Sequence, residues 1–304
     1  MTAPIAWFNG DLIPYSRAAV PVWDLGVVAG AAVSEMARTF AHKPFRLSQH
    51  LDRLLHAIHK IGFPEQYDKL QLLDGIHGVL AHNLPLIPAD RELGIVMFST
   101  AGPNPTYSGA ERGRRMQATT AVHTFDLPFE SWRPQMRDGV HLRTPNVRQV
   151  PDDCFDATLK VRNRLHWWLA DQEANQLEPG SKALLLNHAG FITETSTSAV
   201  HFVCNGRIVT PDSCVLNSLS SQLVEGFAGT HGIPFERRPI PLGEFRYASE
   251  AFLSSSAATL LPVSHINGEQ IGTAIPGPVF SQMAASWSEL VGIDIVQQVL
   301  GAQT

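Results

Sequence analysis

The 304-residue sequence predicts a mixed α/β (α+β) protein of two domains. Three observations carry that expectation. Asn-Gly pairs stand between apolar alternating runs at Asn9-Gly10, Asn205-Gly206 and Asn267-Gly268. A two-residue loop of this kind favours the type I′ turn whose twist matches paired strands, so each pair marks a β-hairpin. The segment LSQHLDRLLHAIHKIG puts Leu47, Leu51, Leu54, Leu55, Ile58 and Ile61 at helical spacing, with Gly62 as the stop, which predicts an amphipathic helix. The stretch DLPFESWRPQMRDG, residues 126–139, carries two prolines and scattered charge with no clean period. It reads as an interdomain connection, leaving a smaller N-terminal domain over residues 1–125 and a larger C-terminal one over residues 140–304.

Composition narrows the function classes. Apolar residues make up 44% and charged ones 17%, which suits a compact chain and is too apolar for disorder. A net charge of −5 gives no electrostatic reason to expect nucleic acid or an anionic membrane as partner. The basic run ERGRR, residues 111–115, lacks interleaved aromatics and reads as a solvated loop. With no basic and apolar leader and no apolar run long enough to span a bilayer, the expected location is cytoplasmic. Cys154, Cys204 and Cys214 are odd in number and show no C-x-x-C spacing, which predicts free thiols and no structural zinc. His56 and His59 could share a helix face, but no third ligand has suitable spacing, so no metal is expected. Neither G-x-G-x-x-G, nor a phosphate loop ending in Gly-Lys-Ser/Thr, nor G-x-S-x-G occurs, which lowers dinucleotide enzymes, nucleotide hydrolases and α/β-hydrolases together.

Four stretches remain that carry chemistry. DATLKVRNRLHWWLAD, residues 156–171, reads as a helix bearing Lys160, on its own no more than a solvated lysine. In HAGFITETSTS a strand over residues 183–187 turns into a second strand bearing Glu194, a carboxylate among hydroxyls. LNSLSSQLVEGFAGTHG places Asn217, Ser218, Ser220 and Ser221 just ahead of an apolar helix that ends at Gly229 or Gly232. Unpaired N–H groups at a helix start, beside several hydroxyls, form a natural phosphate site, whereas N-capping alone needs only one of the serines. FLSSSAATLLPV sets Ser254, Ser255 and Ser256 between two strand-like runs.

Taken in order, DLGVVAGAAVSEMART, HLDRL, the lysine followed by Asn163, GFITETSTS, IVTP, the serine-rich helix start and SEAFLSSSAATLLPV resemble the fold-type IV pyridoxal-phosphate enzymes. This is the class-IV aminotransferase group of branched-chain and D-amino-acid aminotransferases and aminodeoxychorismate lyase. The resemblance runs from Asn9 to about Pro278 and implies a two-domain, D-amino-acid-aminotransferase-like architecture. It implies a homodimer with the site between the domains, completed by a loop of the partner subunit, and pyridoxal 5′-phosphate as cofactor. Lys160 matches the Schiff-base lysine, which holds the aldehyde and shuttles a proton. Glu194 matches the glutamate that keeps the pyridine nitrogen protonated. Arg53 matches the arginine that grips the phosphate, although it lies off the apolar stripe of its helix. Leu219 and Ser220 match the helix-start pair that holds the phosphate, and Ser256 matches a hydroxyl residue reaching it from the third cluster.

The chain departs from the pattern at several positions. Arg164 stands where the family usually has a tyrosine beside the cofactor's 3′ oxygen, and Leu216-Asn217-Ser218 stands for Leu-Pro-Gly. Ala199 replaces an asparagine, Ala101 an arginine of D-amino-acid aminotransferases, and Ser34 a phenylalanine ahead of Glu35. Arg143, Arg148 and Arg164 flank the lysine and are the candidates for binding a substrate carboxylate. The activity implied is transfer of an amino group between an amino acid, branched-chain types among the candidates, and a 2-oxo acid. A lyase on the same scaffold and a non-catalytic cofactor-binding relative are the alternatives.

Overall fold

The three Asn-Gly pairs turn hairpins in the computed structural model, which describes residues 3–108 and 117–301. Each asparagine has φ near +50°, and the glycines lie at +99°, +73° and +82°. This is the left-handed backbone that a type I′ turn needs at both central positions. The basic run at residues 111–115 lies outside the described residues.

The chain divides into two compact units, the first comprising residues 1–127 with 159–163, the second residues 128–158 with 164–304. The first unit contains β1 (Ile5–Phe8), β2 (Asp11–Pro14), α1 (Leu25–Val28), β3 (Ala32–Phe40), β4 (Lys43–Pro44), α2 (Leu47–Ile61), α3 (Lys69–Asn83), β5 (Leu93–Thr100) and β6 (Thr120–Asp126). Its strands form a six-stranded sheet in the order β2-β1-β6-β5-β3-β4. Buried Leu51, Leu54 and Ile58 of α2 and Leu72, Ile76 and Val79 of α3 pack with Val33, Ile95 and Val122 of the sheet. Helix α2 is the one that the leucine spacing predicts, and it stops at Gly62 with φ +77°.

The second unit contains α4 (Phe129–Asp138), β7 (Val140–Arg143), α5 (Leu165–Leu177), β8 (Lys182–Leu186), β9 (Ile192–Thr195), β10 (Ala199–Cys204), β11 (Arg207–Thr210) and α6 (Leu219–Thr230). It continues with β12 (Phe235–Arg237), β13 (Glu250–Ser255), β14 (Thr259–Ile266), β15 (Glu269–Gln270), α7 (Pro278–Val291) and α8 (Ile295–Leu300). Its sheet has nine strands ordered β12-β11-β10-β13-β14-β7-β8-β9, with β15 paired to β14.

Two sequence expectations change here. Residues 129–138 fold as α4 even with Pro134 inside the helix, because Phe129 and Met136 are buried and anchor it. The helix read over residues 156–171 begins only at Leu165. Ahead of it, the Thr158 N–H closes a turn on Asp156 Oδ1 at 2.8 Å, and residues 160–162 are extended, pairing with β3. A backbone whose polar groups already have sheet partners has no use for helical ones. That pairing assigns residues 159–163, Lys160 included, to the first unit, not to the C-terminal domain where the sequence placed them.

Candidate functional site

The chemistry-bearing residues gather in one group in each unit. In the first, the Ser34 N–H donates to Lys160 O at 2.8 Å, the Arg162 N–H donates to Ala32 O at 2.7 Å, and Val161 bridges Val33. Lys160 therefore lies in a short segment fixed along β3, beside the strand that carries Glu35.

Glu35 is buried, as is His50 of α2. Its Oε1 accepts from Arg53 Nε at 2.6 Å, and its Oε2 accepts from Arg53 Nη2 at 2.9 Å and from His50 Nδ1 at 2.8 Å. Burial pulls the Glu35 carboxyl up, but the His50 and Arg53 hydrogen bonds with the Arg53 charge outweigh it and bring it down to about 2. Burial holds His50 below its ordinary value against the pull of Glu35, and the charges of Arg53 and Lys160 add to the lowering. The pair is therefore a carboxylate and a neutral imidazole whose Nδ1–H donates. Arg53, which periodicity puts in solvent, has a side chain only 14% exposed. The sequence reading missed Glu35 and His50 as members of this group. The available signal was the His50–Arg53 spacing of three, which sets both on one helix face.

In the second unit, Glu194 projects from β9, and its Oε1 accepts from the Leu216 N–H at 3.2 Å. That bond ties the carboxylate to the loop entering α6. Ser218 is the N-cap, its Oγ accepting from the Ser221 N–H at 3.2 Å. Leu219 and Ser220 open the helix and are buried, at the first-turn amides to which a helix offers no internal partner. A small cavity of about 10 Å³ is lined by Glu194, Thr210, Ser218, Ser221 and Arg237. Ser221 Oγ is buried there without a hydrogen-bond partner.

Arg164 belongs to this group too. Its Nη2 donates to Ser196 O, two residues beyond Glu194, and its guanidinium lies 5.7 Å from the centre of the Trp167 ring. Burial lowers its pKa, with the charges of Glu194 and Asp171 opposing. The other candidate arginines are placed differently. Arg143 is bound through Nε to Glu178 Oε2 at 2.6 Å, with His141 on the other oxygen of the same carboxylate. Arg148 is exposed on a loop.

The third serine cluster divides. Ser254 Oγ is 2.9 Å from His201 Nε2, Ser255 Oγ accepts from the Ala258 N–H at 3.1 Å, and Ser256 sits half-buried in the turn between β13 and β14. Two of the three serines thus have structural uses. Among the described residues no group of three or more His, Cys, Asp or Glu could hold a metal ion, and no helix is long and apolar enough to cross a membrane.

A lysine pinned along a strand, a carboxylate among hydroxyls and a hydroxyl-rich helix start, in this chain order, define a class. The amino-transferase class IV family model matches residues 32–266, and the chain belongs to that family. Among its relatives is branched-chain-amino-acid aminotransferase-like protein 1 of Arabidopsis thaliana, 27% identical over 293 residues, 94% of this chain. This chain spans only half the length of that relative and of its Arabidopsis companion, protein 2. The putative branched-chain-amino-acid aminotransferase of Methanocaldococcus jannaschii is 25% identical, covering 93% of this chain and 95% of the relative. The D-alanine aminotransferase of Listeria monocytogenes is 26% identical, covering 90% and 92%. These relatives are aminotransferases by name, so the lyase alternative is not favoured.

Solved structures show the same fold. The branched-chain aminotransferase of Thermoproteus uzoniensis, crystallised with norvaline, superposes with a TM-score of 0.83 at 24% identity over 95% of both chains. That of Thermobaculum terrenum, in its pyridoxal-phosphate form, gives 0.82 at 22% identity over 96% of this chain and 95% of the other. Class IV aminotransferases use pyridoxal phosphate, and the residues present here suit it. They offer a lysine on a backbone paired with β3, a carboxylate tied to a loop, a mostly buried arginine, and a helix start with a buried hydroxyl that has no hydrogen-bond partner.

Proposed function

We propose that this chain is a pyridoxal-phosphate-dependent aminotransferase that moves an amino group between a branched-chain-type amino acid and a 2-oxo acid, working as a homodimer. The observation that carries the reading is Lys160 held along β3, its charge acting on the buried Glu35–His50–Arg53 group. The lysine that matches the family's thereby has its backbone paired with a strand, in the same unit as the arginine that matches the phosphate-gripping one.

Pyridoxal phosphate, when bound, supplies an aldehyde that takes up the amino group and a ring that accepts the electron pair left when the substrate Cα loses its proton. Lys160 Nζ is the residue to hold the aldehyde at rest and, once the substrate has displaced it, to take the proton from Cα as a neutral amine and return it. Glu194, tied by the Leu216 N–H, holds a proton at the ring nitrogen. Arg53, Leu219, Ser220 and Ser256 match the positions that would hold the phosphate. Arg164, fixed on Ser196 O near the charge of Glu194, offers a cation for the cofactor's 3′ oxygen or for a substrate carboxylate, whereas Arg143 is already committed to Glu178.

The test is a half-reaction. Protein loaded with pyridoxal phosphate is mixed in turn with L-leucine, L-valine and D-alanine, and the cofactor absorbance is followed. Loss of the visible band with a branched-chain L-amino acid, reversed by a 2-oxo acid, is the expected result. Conversion by D-alanine alone would overturn the substrate class, and no conversion by any donor would overturn the transferase reading.

A further inference from the structure

We propose that Glu35 and His50 are positioning residues that fix the guanidinium of Arg53 for the cofactor's phosphate, an inference that rests on the cofactor reading above. Arginine carries five N–H donors in a rigid planar fork. Glu35 takes two of them, on Nε and Nη2, at 2.6 and 2.9 Å. Two bonds from a plane to a second planar group set both the direction and the roll of the guanidinium, which a single bond cannot do. That leaves three N–H bonds of the fork that do not point at Glu35.

His50 completes the arrangement. It sits one helical turn before Arg53 on α2 and donates Nδ1–H to the same Oε2 that Arg53 Nη2 uses, at 2.8 Å. The carboxylate is thus held from two sides and cannot swing with the arginine. Glu35 and His50 are both almost wholly buried, and Arg53 nearly so, so water does not loosen these bonds as it does surface pairs. A long side chain on the flank of a helix otherwise has several rotamers to choose from, and binding an anion would have to freeze them. Here Glu35 has frozen them beforehand.

The competing role for the same three residues is a buried polar tie between α2 and β3, and the experiment separates the two. Dissociation constants for pyridoxal phosphate and for pyridoxal, which lacks the phosphate, are measured on the cofactor-free wild type, Glu35→Gln, Arg53→Ala and the double variant, with thermal unfolding as the folding control. Glu35→Gln keeps the size of the side chain but sets an amide N–H against a donor. It is expected to weaken pyridoxal phosphate about tenfold or more, the size of a lost hydrogen bond to a charged group, and pyridoxal by much less. In the Arg53→Ala background the Glu35→Gln change should have no further effect on the ratio of the two constants. His50→Phe, which leaves the Glu35–Arg53 pair in place, should show the same selectivity at smaller size and serves if Glu35→Gln does not fold. Equal weakening of both ligands, or a full Glu35→Gln effect without Arg53, would reduce the pair to a structural tie and overturn the inference. A wild type that prefers the phosphorylated ligand, with that preference unchanged in the variants, overturns the inference alone. A wild type that binds neither ligand removes the cofactor reading and the inference with it.

Discussion

His201 of β10 has no solvent exposure, lies 5.0 Å from the Phe252 ring in a stack, and leaves Nδ1 without a partner while Nε2 meets Ser254 Oγ. Burial, helped by the charge of Arg237, brings its pKa down to about 3. An unfolded histidine titrates near 6.5, so below that pH the unfolded chain takes a proton that the native one refuses. The stability tied to this group is therefore complete above about pH 6.5 and is lost as pH falls toward 3, about 2 kcal/mol of it by pH 5. Urea-unfolding free energies measured from pH 7 to 5 should show that slope in the wild type and a flatter one in His201→Gln. Equal slopes would contradict the assignment. Glu35 acts at lower pH: its carboxyl, lowered to about 2, contributes stability that is complete above the ordinary carboxyl value near 4.5 and is lost as pH falls from there through about 2. At this scale the order of motifs along the chain singles out Lys160, Glu194, Leu219 and Ser220 as candidates. Glu35 and His50 were hidden, since a glutamate inside an apolar run shows no partner until α2 is laid on β3.

Elements were legible wherever their signal is local. The Asn-Gly turns and α2 follow from neighbours in the chain, whereas the start of α5 does not. Residues 160–162 are extended because β3 offers its backbone, which no window of sequence around Lys160 contains. Two glycines in helix interiors make opposite predictions. A Cβ on Gly75 of α3 would come within 2.8 Å of the Trp7 ring, whereas one on Gly226 of α6 would meet nothing within 4 Å. Gly75→Ala should therefore lower stability by about 1–3 kcal/mol, as overpacking does. Gly226→Ala should raise it by about 0.5–1 kcal/mol through helix propensity alone. Urea titration of the two variants checks both signs.

For the molecule as a whole, mixed α/β class and a two-part chain could be read from turns, helices and an aperiodic stretch, but the strand orders could not. Parallel pairs such as β11–β12 and β7–β14 join segments separated by many residues, and nothing in local pattern names a strand's partner. Nor could the sequence show that the chain, having begun its second unit, returns to the first for residues 159–163. That return carries Lys160, and it turns an unremarkable lysine into one whose backbone is fixed by a sheet. The central claim is that this lysine anchors the cofactor. It is tested most directly by the absorbance of purified protein incubated with pyridoxal phosphate, recorded between about 300 and 500 nm before and after borohydride, beside a Lys160→Ala variant. The wild type is expected to show a band that borohydride removes, with the cofactor then covalently attached at Lys160, and the variant no such band. A protein that takes up no pyridoxal phosphate, or a variant that keeps the reducible band, would contradict it.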